Sequence, residues 1–174
     1  CIEVISAFET PRLKFDNTRK CFEYDATPPT LFADADSHSR MFAARLHMLE
    51  QRVRRHEMFK APVLANGVEA KQHLELTSID ALLGRTSTRV VLGMLSQMEE
   101  GRTFLEDYNG HIELDLSEAT TTDGFFTQHS VVLAEGQVQP SGLFKVSQLG
   151  FPPPEPRSRS MEAYGAVDPL RSSA

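Results

Sequence analysis

The chain is poor in cysteine, in uninterrupted apolar sequence and in positive charge, and each shortage excludes something. Only two cysteines, Cys1 and Cys21, occur in 174 residues, and there is no C-x-x-C spacing. That excludes a disulfide framework and fits a reducing compartment. No uncharged apolar run approaches the roughly 20 residues of a membrane-spanning helix, so no membrane contact is expected. No N-x-S/T acceptor is present, and the opening CIEVISAF carries an acid where a secretory signal carries bases. Export is unsupported. Lysine and arginine number 18 against 24 aspartates and glutamates, a net charge of -6, which is the wrong sign for a general nucleic-acid binder.

What remains is the profile of a soluble globular protein, 40% apolar and 24% charged, long enough for one real core or for a domain with an arm. Because it begins at Cys1 and not at Met, it reads as a piece of a longer protein.

The charge is sorted into blocks. Residues 1 to 39 hold seven acids and four bases. Residues 40 to 60 reverse this, with Arg40, Arg45, Arg52, Arg54, Arg55 and Lys60 against Glu50 and Glu57, a balance of +4. Residues 99 to 118 swing to -6, with seven acids against Arg102 alone.

The basic block predicts a helix over about 37–59. Asp36 or Ser37 supplies an N-cap, no Gly or Pro interrupts the stretch, and Phe42, Leu46, Leu49 and Val53 recur at helical spacing. The arginines lie off that stripe and face solvent or an acidic partner. A short second helix is signalled at TSIDALLG, where Thr77 and Asp80 resemble a capping box and Gly84 suits the C-terminal end.

From Thr88 onward the period changes to two. TRVVLGMLSQ reads as a strand bent or bulged at Gly93. RTFLED and HIELDLS flank Tyr108-Asn109-Gly110, an Asn-Gly hairpin signal that puts Ile112, Leu114 and Leu116 on one face and His111, Glu113 and Asp115 on the other. SVVLAEG and GLFKVSQLGF add two more strands. A helix followed by five short strands predicts a mainly β fold, a five-stranded antiparallel barrel of the oligonucleotide/oligosaccharide-binding (OB) type preceded by a long α-helix. The expected organisation is an N-terminal arm with short strands and the basic helix over 1–60, the barrel over 61–156, and a linker or tail over 157–174.

Catalytic patterns are missing. G-x-x-x-x-G-K-S/T, G-x-G-x-x-G, G-x-S-x-G and H-E-x-x-H do not occur. Asp36-Ser37-His38 matches the D-x-H that opens a metallophosphoesterase site, but none of the later partners follows, and Asp36 is better read as a helix cap. His38, His47 and His56 are spaced by nine residues, so neighbours point to opposite helix faces and do not share a metal. No catalytic residue, metal or cofactor is expected. Single-strand capture by an OB barrel needs basic residues and stacking aromatics on the second and third strands. Here those strands are the most acidic stretch, Phe104 reads as core or platform, and only Tyr108 is plainly available.

Several long matches carry a resemblance: Leu82-Leu83-Gly84, Val91-Leu92-Gly93-Met94-Leu95, Phe104-Leu105-Glu106-Asp107, Leu114-Asp115-Leu116-Ser117, Val132-Leu133-Ala134-Glu135-Gly136 and Leu149-Gly150-Phe151-Pro152-Pro153, together with VISAFETPRLKFD and the helix from Met41-Phe42 to Arg55-His56. These closely resemble the second-subunit family of DNA polymerase epsilon. The resemblance implies the OB region of a protein that also has an N-terminal helical domain and a phosphoesterase-like domain devoid of activity, both missing here. It further implies a nuclear, non-catalytic scaffold in DNA replication that grips the zinc-bearing C-terminal domain of the catalytic subunit. Other epsilon subunits and replicative helicase components would be partners, with DNA reached only through the complex. After Gly165 the chain departs from the family, which continues through a hydrophobic strand.

On this reading the candidate protein-contact residues are Arg45, Arg52, Arg55, Glu106, Glu113 and Asp115. The alternative, a single-stranded DNA-binding module, would use Arg54 and Tyr108.

Overall fold

A computed structural model describes residues 4, 6, 10–16, 18–19, 21–28, 31–60, 73–165 and 167. Cys1, the expected first residues of the barrel domain at 61–72, and the tail at 166 and 168–174 lie outside the described residues. The chain divides into two compact units, Cys1–Met48 with Pro154–Ala174, and Leu49–Pro153.

In the first unit, strands β1 (Leu13–Asp16) and β2 (Cys21–Tyr24) form an antiparallel hairpin that pairs Leu13 with Tyr24 and Asp16 with Cys21. The Asp16 carboxylate closes the turn by accepting the Thr18 and Arg19 N–H groups at 2.7 and 3.2 Å. Helix α1 (Ser37–Arg55) starts where expected. Its N-terminus is tied by Asp34, which takes two contacts from Arg40 at 2.6 and 2.8 Å and one from the Ser37 hydroxyl. Leu46 is buried and Phe42 half-buried, as the apolar stripe requires. The helix ends at Arg55, short of Phe59, where the His56 and Phe59 N–H groups turn to the carbonyls three residues back, Val53 and His56, at 2.9 and 3.0 Å.

Residues 157–164 correct the expectation of a linker. They form α2 (Arg157–Tyr164), and the Tyr164 ring stands edge-on to buried Phe22 with centroids 4.8 Å apart. The prolines before it stop any earlier helix, and Pro156, extended at φ -58 and ψ 140, precedes the first turn. One aromatic partner on β2 is what a composition-based reading of PPPEPRSRS misses.

The second unit is the OB-type barrel. Strands β3 (Arg89–Glu99), β4 (Arg102–Glu106), β5 (His111–Asp115), the two-residue β6 (Thr120–Thr121), β7 (Val131–Val138) and β8 (Phe144–Gly150) run in the order β5-β4-β3-β7-β8-β6. A short parallel pairing of β5 with β8, Leu114 to Phe144 and Asp115 to Lys145, brings the sheet round on itself. The interior is filled by Val91, Leu95, Leu105, Leu114, Val132, Ala134, Phe144, Val146 and Leu149. Alternation fixes most of these positions. On β8 the inward set changes parity, from 144 and 146 to 149, at an irregularity where Ser147 donates its hydroxyl to the Glu135 carbonyl at 2.9 Å.

Gly93 is not a bulge. The register of β3 on β7 is continuous through it, and the irregularity against β4 lies between Ser96 and Glu99. A Cβ at Gly93 would meet the Glu106 carbonyl oxygen and the Leu105 side chain, each at 2.7 Å, so glycine is required by the close approach of β4.

The expected short helix is a single 3-10 turn, Asp80–Leu82, and the Thr77–Asp80 capping box does not form. Thr77 instead donates its N–H to the Val90 carbonyl at 2.8 Å, in line with β3. The N–H of Ile79 is capped by the Asp107 carboxylate at 2.7 Å, and Ile79 and Leu82 enter the core as a plug. Gly84 ends the element at φ +75. The same Asp107 accepts the N–H groups of Asn109 and Gly110 at 2.8 and 3.0 Å. The β4–β5 turn is therefore closed by Asp107 and not by a left-handed Asn-Gly pair, since neither Asn109 nor Gly110 has a positive φ.

Asp107→Ala removes three backbone partners, two of them part-buried, and is expected to lower stability by about 1–3 kcal/mol in chemical denaturation. The Asp34 carboxylate is held below its ordinary range, first by Arg40 and then by Ser37. Its contribution to α1 is therefore full above about pH 4 and is lost as pH falls through the lowered folded value. The difference in thermal midpoint between the native chain and Asp34→Ala should be present at pH 7 and shrink toward zero on acidification.

Candidate functional site

The face on which an OB barrel holds single strands is the outer surface of β4 and β5, with β3 beside them. Alternation puts Arg102, Phe104 and Glu106 of β4, and His111, Glu113 and Asp115 of β5, on that surface. Arg102 organises it. Its Nε donates to Glu113 at 2.7 Å, a second nitrogen reaches the other Glu113 oxygen, and a third reaches Glu99. This two-pronged carboxylate contact, with Glu113 the larger cause and Glu99 the next, drives the guanidinium pKa further up. The Arg102 guanidinium carbon lies 5.7 Å from the Phe104 ring centroid, and His111 meets the same ring edge-on at 5.9 Å.

Phe104 is only 7% exposed. It is core on the outer face and does not serve as a stacking platform. Its neighbours on that face, Val90, Leu92, Ser96 and Val131, are buried as well. Val53, from the end of α1, is fully buried in the same unit, and Glu50, one turn earlier, lies close enough to act on the Tyr108 phenol. The end of the basic helix is therefore partly buried and is not a wholly free basic face. Tyr108 is 49% exposed, and its phenol is pushed up by burial first, then by Glu50 and Asp107.

The other sequence-derived candidates are scattered. Arg54 is paired with Glu50 at 2.7 Å. Arg52 and Arg55 are half-buried, and the Arg52 Nε is buried with no hydrogen-bond partner among the described residues. Arg45 is exposed in the first unit. Asp115 accepts both the N–H and the hydroxyl of Ser117, at 3.1 and 2.6 Å, and these bonds hold its carboxyl low. Glu118 is paired with Lys145 at 2.8 Å. Glu106 is half-buried and makes no ion pair among the described residues. The acidic stretch is thus less bare than its composition implies, because Arg102 and Lys145 between them pair with three of its acids. Arg102 was legible as a cross-strand partner, since hairpin pairing puts it on the face of Glu113; Lys145, from β8, was not.

Concavities open among the described residues of this unit. One, of about 460 Å³, is of mixed character and bordered by Thr86, Gln137, Val138, Pro140, Lys145 and Glu118. Another, of about 450 Å³, is apolar, lined by Met58, Phe59, Leu74, Leu133, Phe151 and Pro153. Beside it Phe126 stacks on Phe151 with centroids 4.6 Å apart and planes 7° from parallel, and Phe125 is 92% exposed. Sequence reasoning passed over this aromatic group, although Phe125-Phe126 and the Phe151-Pro152-Pro153 run were its signal. Among the described residues no group of three or more His, Cys, Asp or Glu side chains is placed to hold a metal ion.

The comparisons with known proteins agree with this architecture. The family model for "DNA polymerase epsilon subunit 2-like, OB-fold domain" matches residues 35–153. DNA polymerase epsilon subunit 2 of Bos taurus is 39% identical over 170 residues, covering 93% of this chain and 32% of that protein. The Homo sapiens protein of the same name is 38% identical over 173 residues (95% and 33%), and that of Drosophila melanogaster 36% over 170 (95% and 32%). The chain spans about a third of the length of these relatives. Strand order, plugged core and a match over most of its length together show that the chain belongs to the DNA polymerase epsilon subunit 2-like family and carries its OB-fold domain.

Proposed function

We propose that this chain is a non-catalytic, structural part of a DNA polymerase epsilon accessory subunit, acting in the nucleus through protein contacts. Its partners would be the C-terminal domain of the catalytic subunit, the other epsilon subunits and replicative helicase components, with DNA reached only through the complex. Within it, 61–156 would be the barrel domain and 1–60 the arm. The observation that carries this reading is the closed outer face: Phe104, where a base would stack, is buried beside the Arg102–Glu113 contact. The exposed Phe125 and Phe151, with Phe126 between them and the core, also suit a protein partner better than phosphate, and among the described residues no cationic side chain lines the adjoining concavity.

The single-strand reading has only Tyr108 and Arg54 left, and Arg54 is engaged by Glu50. Titration of a fluorescent oligonucleotide at low salt discriminates the two. Phosphate contacts would give binding that weakens steeply as salt is added; the proposal expects no such binding. A salt-sensitive, tight complex that is lost in Tyr108→Ala would favour the DNA reading instead.

Charge reversal tests the acidic face. Glu113 is committed to Arg102, so reversing it would disturb the face itself, and Glu106→Lys with Asp115→Lys is the cleaner pair. In the full-length subunit this pair should weaken co-purification with the catalytic subunit or another partner at least about tenfold, a loss of about 1.4 kcal/mol. Unchanged affinity for every partner would remove this face from the contact surface.

A further inference from the structure

Of the ten prolines, two follow a serine or threonine, in Thr10-Pro11 and Thr27-Pro28. Distant in sequence, they are brought together by the β1–β2 hairpin. The pairing of Leu13 with Tyr24 is extended by the Asp25 N–H donating to the Arg12 carbonyl at 2.8 Å, so residues 10–12 and 25–28 lie at the same open end. The side chains there form a charged group. The Asp25 carboxylate accepts the Thr27 N–H at 3.0 Å and is bonded by the Thr27 hydroxyl, which is the largest cause of its lowered pKa. Arg12 reaches the Asp25 carboxylate at 3.4 Å and the Thr27 carbonyl at 3.3 Å, and Lys14 is near enough to act on Asp25 as well.

We propose that Thr27 is a phosphorylation site for a proline-directed serine/threonine kinase, with Thr10 as a second acceptor. Thr27 is exposed. The proline after it disfavours helical backbone at Thr27 and has no N–H, which suits an extended acceptor segment. In the transfer, the Thr27 hydroxyl oxygen attacks the γ-phosphorus of a nucleoside triphosphate held by the kinase. The oxygen–phosphorus bond forms as the bond from phosphorus to the β,γ-bridging oxygen breaks. Nucleoside diphosphate leaves, and the hydroxyl proton passes to the kinase's base. Thr10 is the poorer acceptor because it is half-buried; both hydroxyls are engaged, Thr10's by the Ser6 carbonyl at 3.0 Å and Thr27's by the Asp25 carboxylate, and each is released on entering the kinase.

The new group brings about -1.5 to -2 charges to a place already occupied by Asp25. It repels that carboxylate and competes with it for Arg12 and Lys14. Arg12 therefore moves from Asp25 to the phosphate, and the open end of the hairpin changes its charge from nearly balanced to acidic.

The test is incubation of the full chain with a proline-directed kinase and γ-labelled ATP, followed by peptide mapping. Label should map mainly to Thr27. Thr27→Val should lose most of it, and so should Pro28→Ala, which keeps the hydroxyl. The remaining label should disappear in Thr10→Val with Thr27→Val, with circular dichroism confirming each fold. Label mapping elsewhere, label unaffected by Pro28→Ala, or none on the chain while a control peptide is labelled would overturn the site. For the Arg12 contact, phosphorus NMR follows the second phosphate ionisation, ordinarily near pH 6. Arg12→Gln should raise it, and an unchanged midpoint would overturn the placement of the phosphate beside Arg12.

Discussion

The structure depends on β3 being buried on both sides. Val91 and Leu95 point into the barrel, while Val90, Leu92 and Ser96 point outward and are also buried. A strand buried on both faces forces its neighbours to supply two apolar layers. β4 does so with Leu105 inside and Phe104 outside, and β7 with Val132 inside and Val131 outside. Burying this outer layer stabilises the fold by an amount of the same order as the interior, about 25 cal/mol for each Å² removed from water. It also removes the stacking surface on which an OB barrel holds nucleic acid. Fold stability and loss of the DNA face follow from one arrangement.

Polar groups then finish what the apolar layers begin. Asp107 fastens the β4–β5 turn and the 3-10 plug with one carboxylate, so that hairpin and plug are set by a common anchor. Arg102 draws Glu99 and Glu113 together beside Phe104 and so engages two of the acids of that face. Such exposed pairs add little stability individually. Their effect here is to seal the edge of the outer layer and to fix which acids remain outward.

Periodicity made the barrel legible: five strands, the long helix, the hairpin and most inward residues could be read from alternation and helical spacing. What was not legible depends on contacts between distant residues. Gly93 reads as a bulge because glycine in a strand usually signals one, whereas its real cause is the approach of Glu106 and Leu105 from β4. The Asn-Gly signal finds the hairpin but not that Asp107 of the turn also holds the Ile79 N–H, far away in sequence. The parity change on β8 at Ser147 is invisible without its partner Glu135. α2 looks like linker until Phe22 supplies its aromatic partner. Among the candidate site residues, the basic helix misled most, since the arginines Arg52 to Arg55 sit beside a buried Val53 and are partly engaged.

The central claim is that this barrel works by protein contact with its outer nucleic-acid face closed. Amide hydrogen exchange on the full-length subunit, alone and with the catalytic subunit's C-terminal domain, tests it most directly. The account predicts slow exchange of β3 and β4 in the free protein, and new protection on the barrel surface when that domain is added without DNA. Rapid exchange of β3 and β4, or barrel protection that arises only on adding single-stranded DNA, would contradict it.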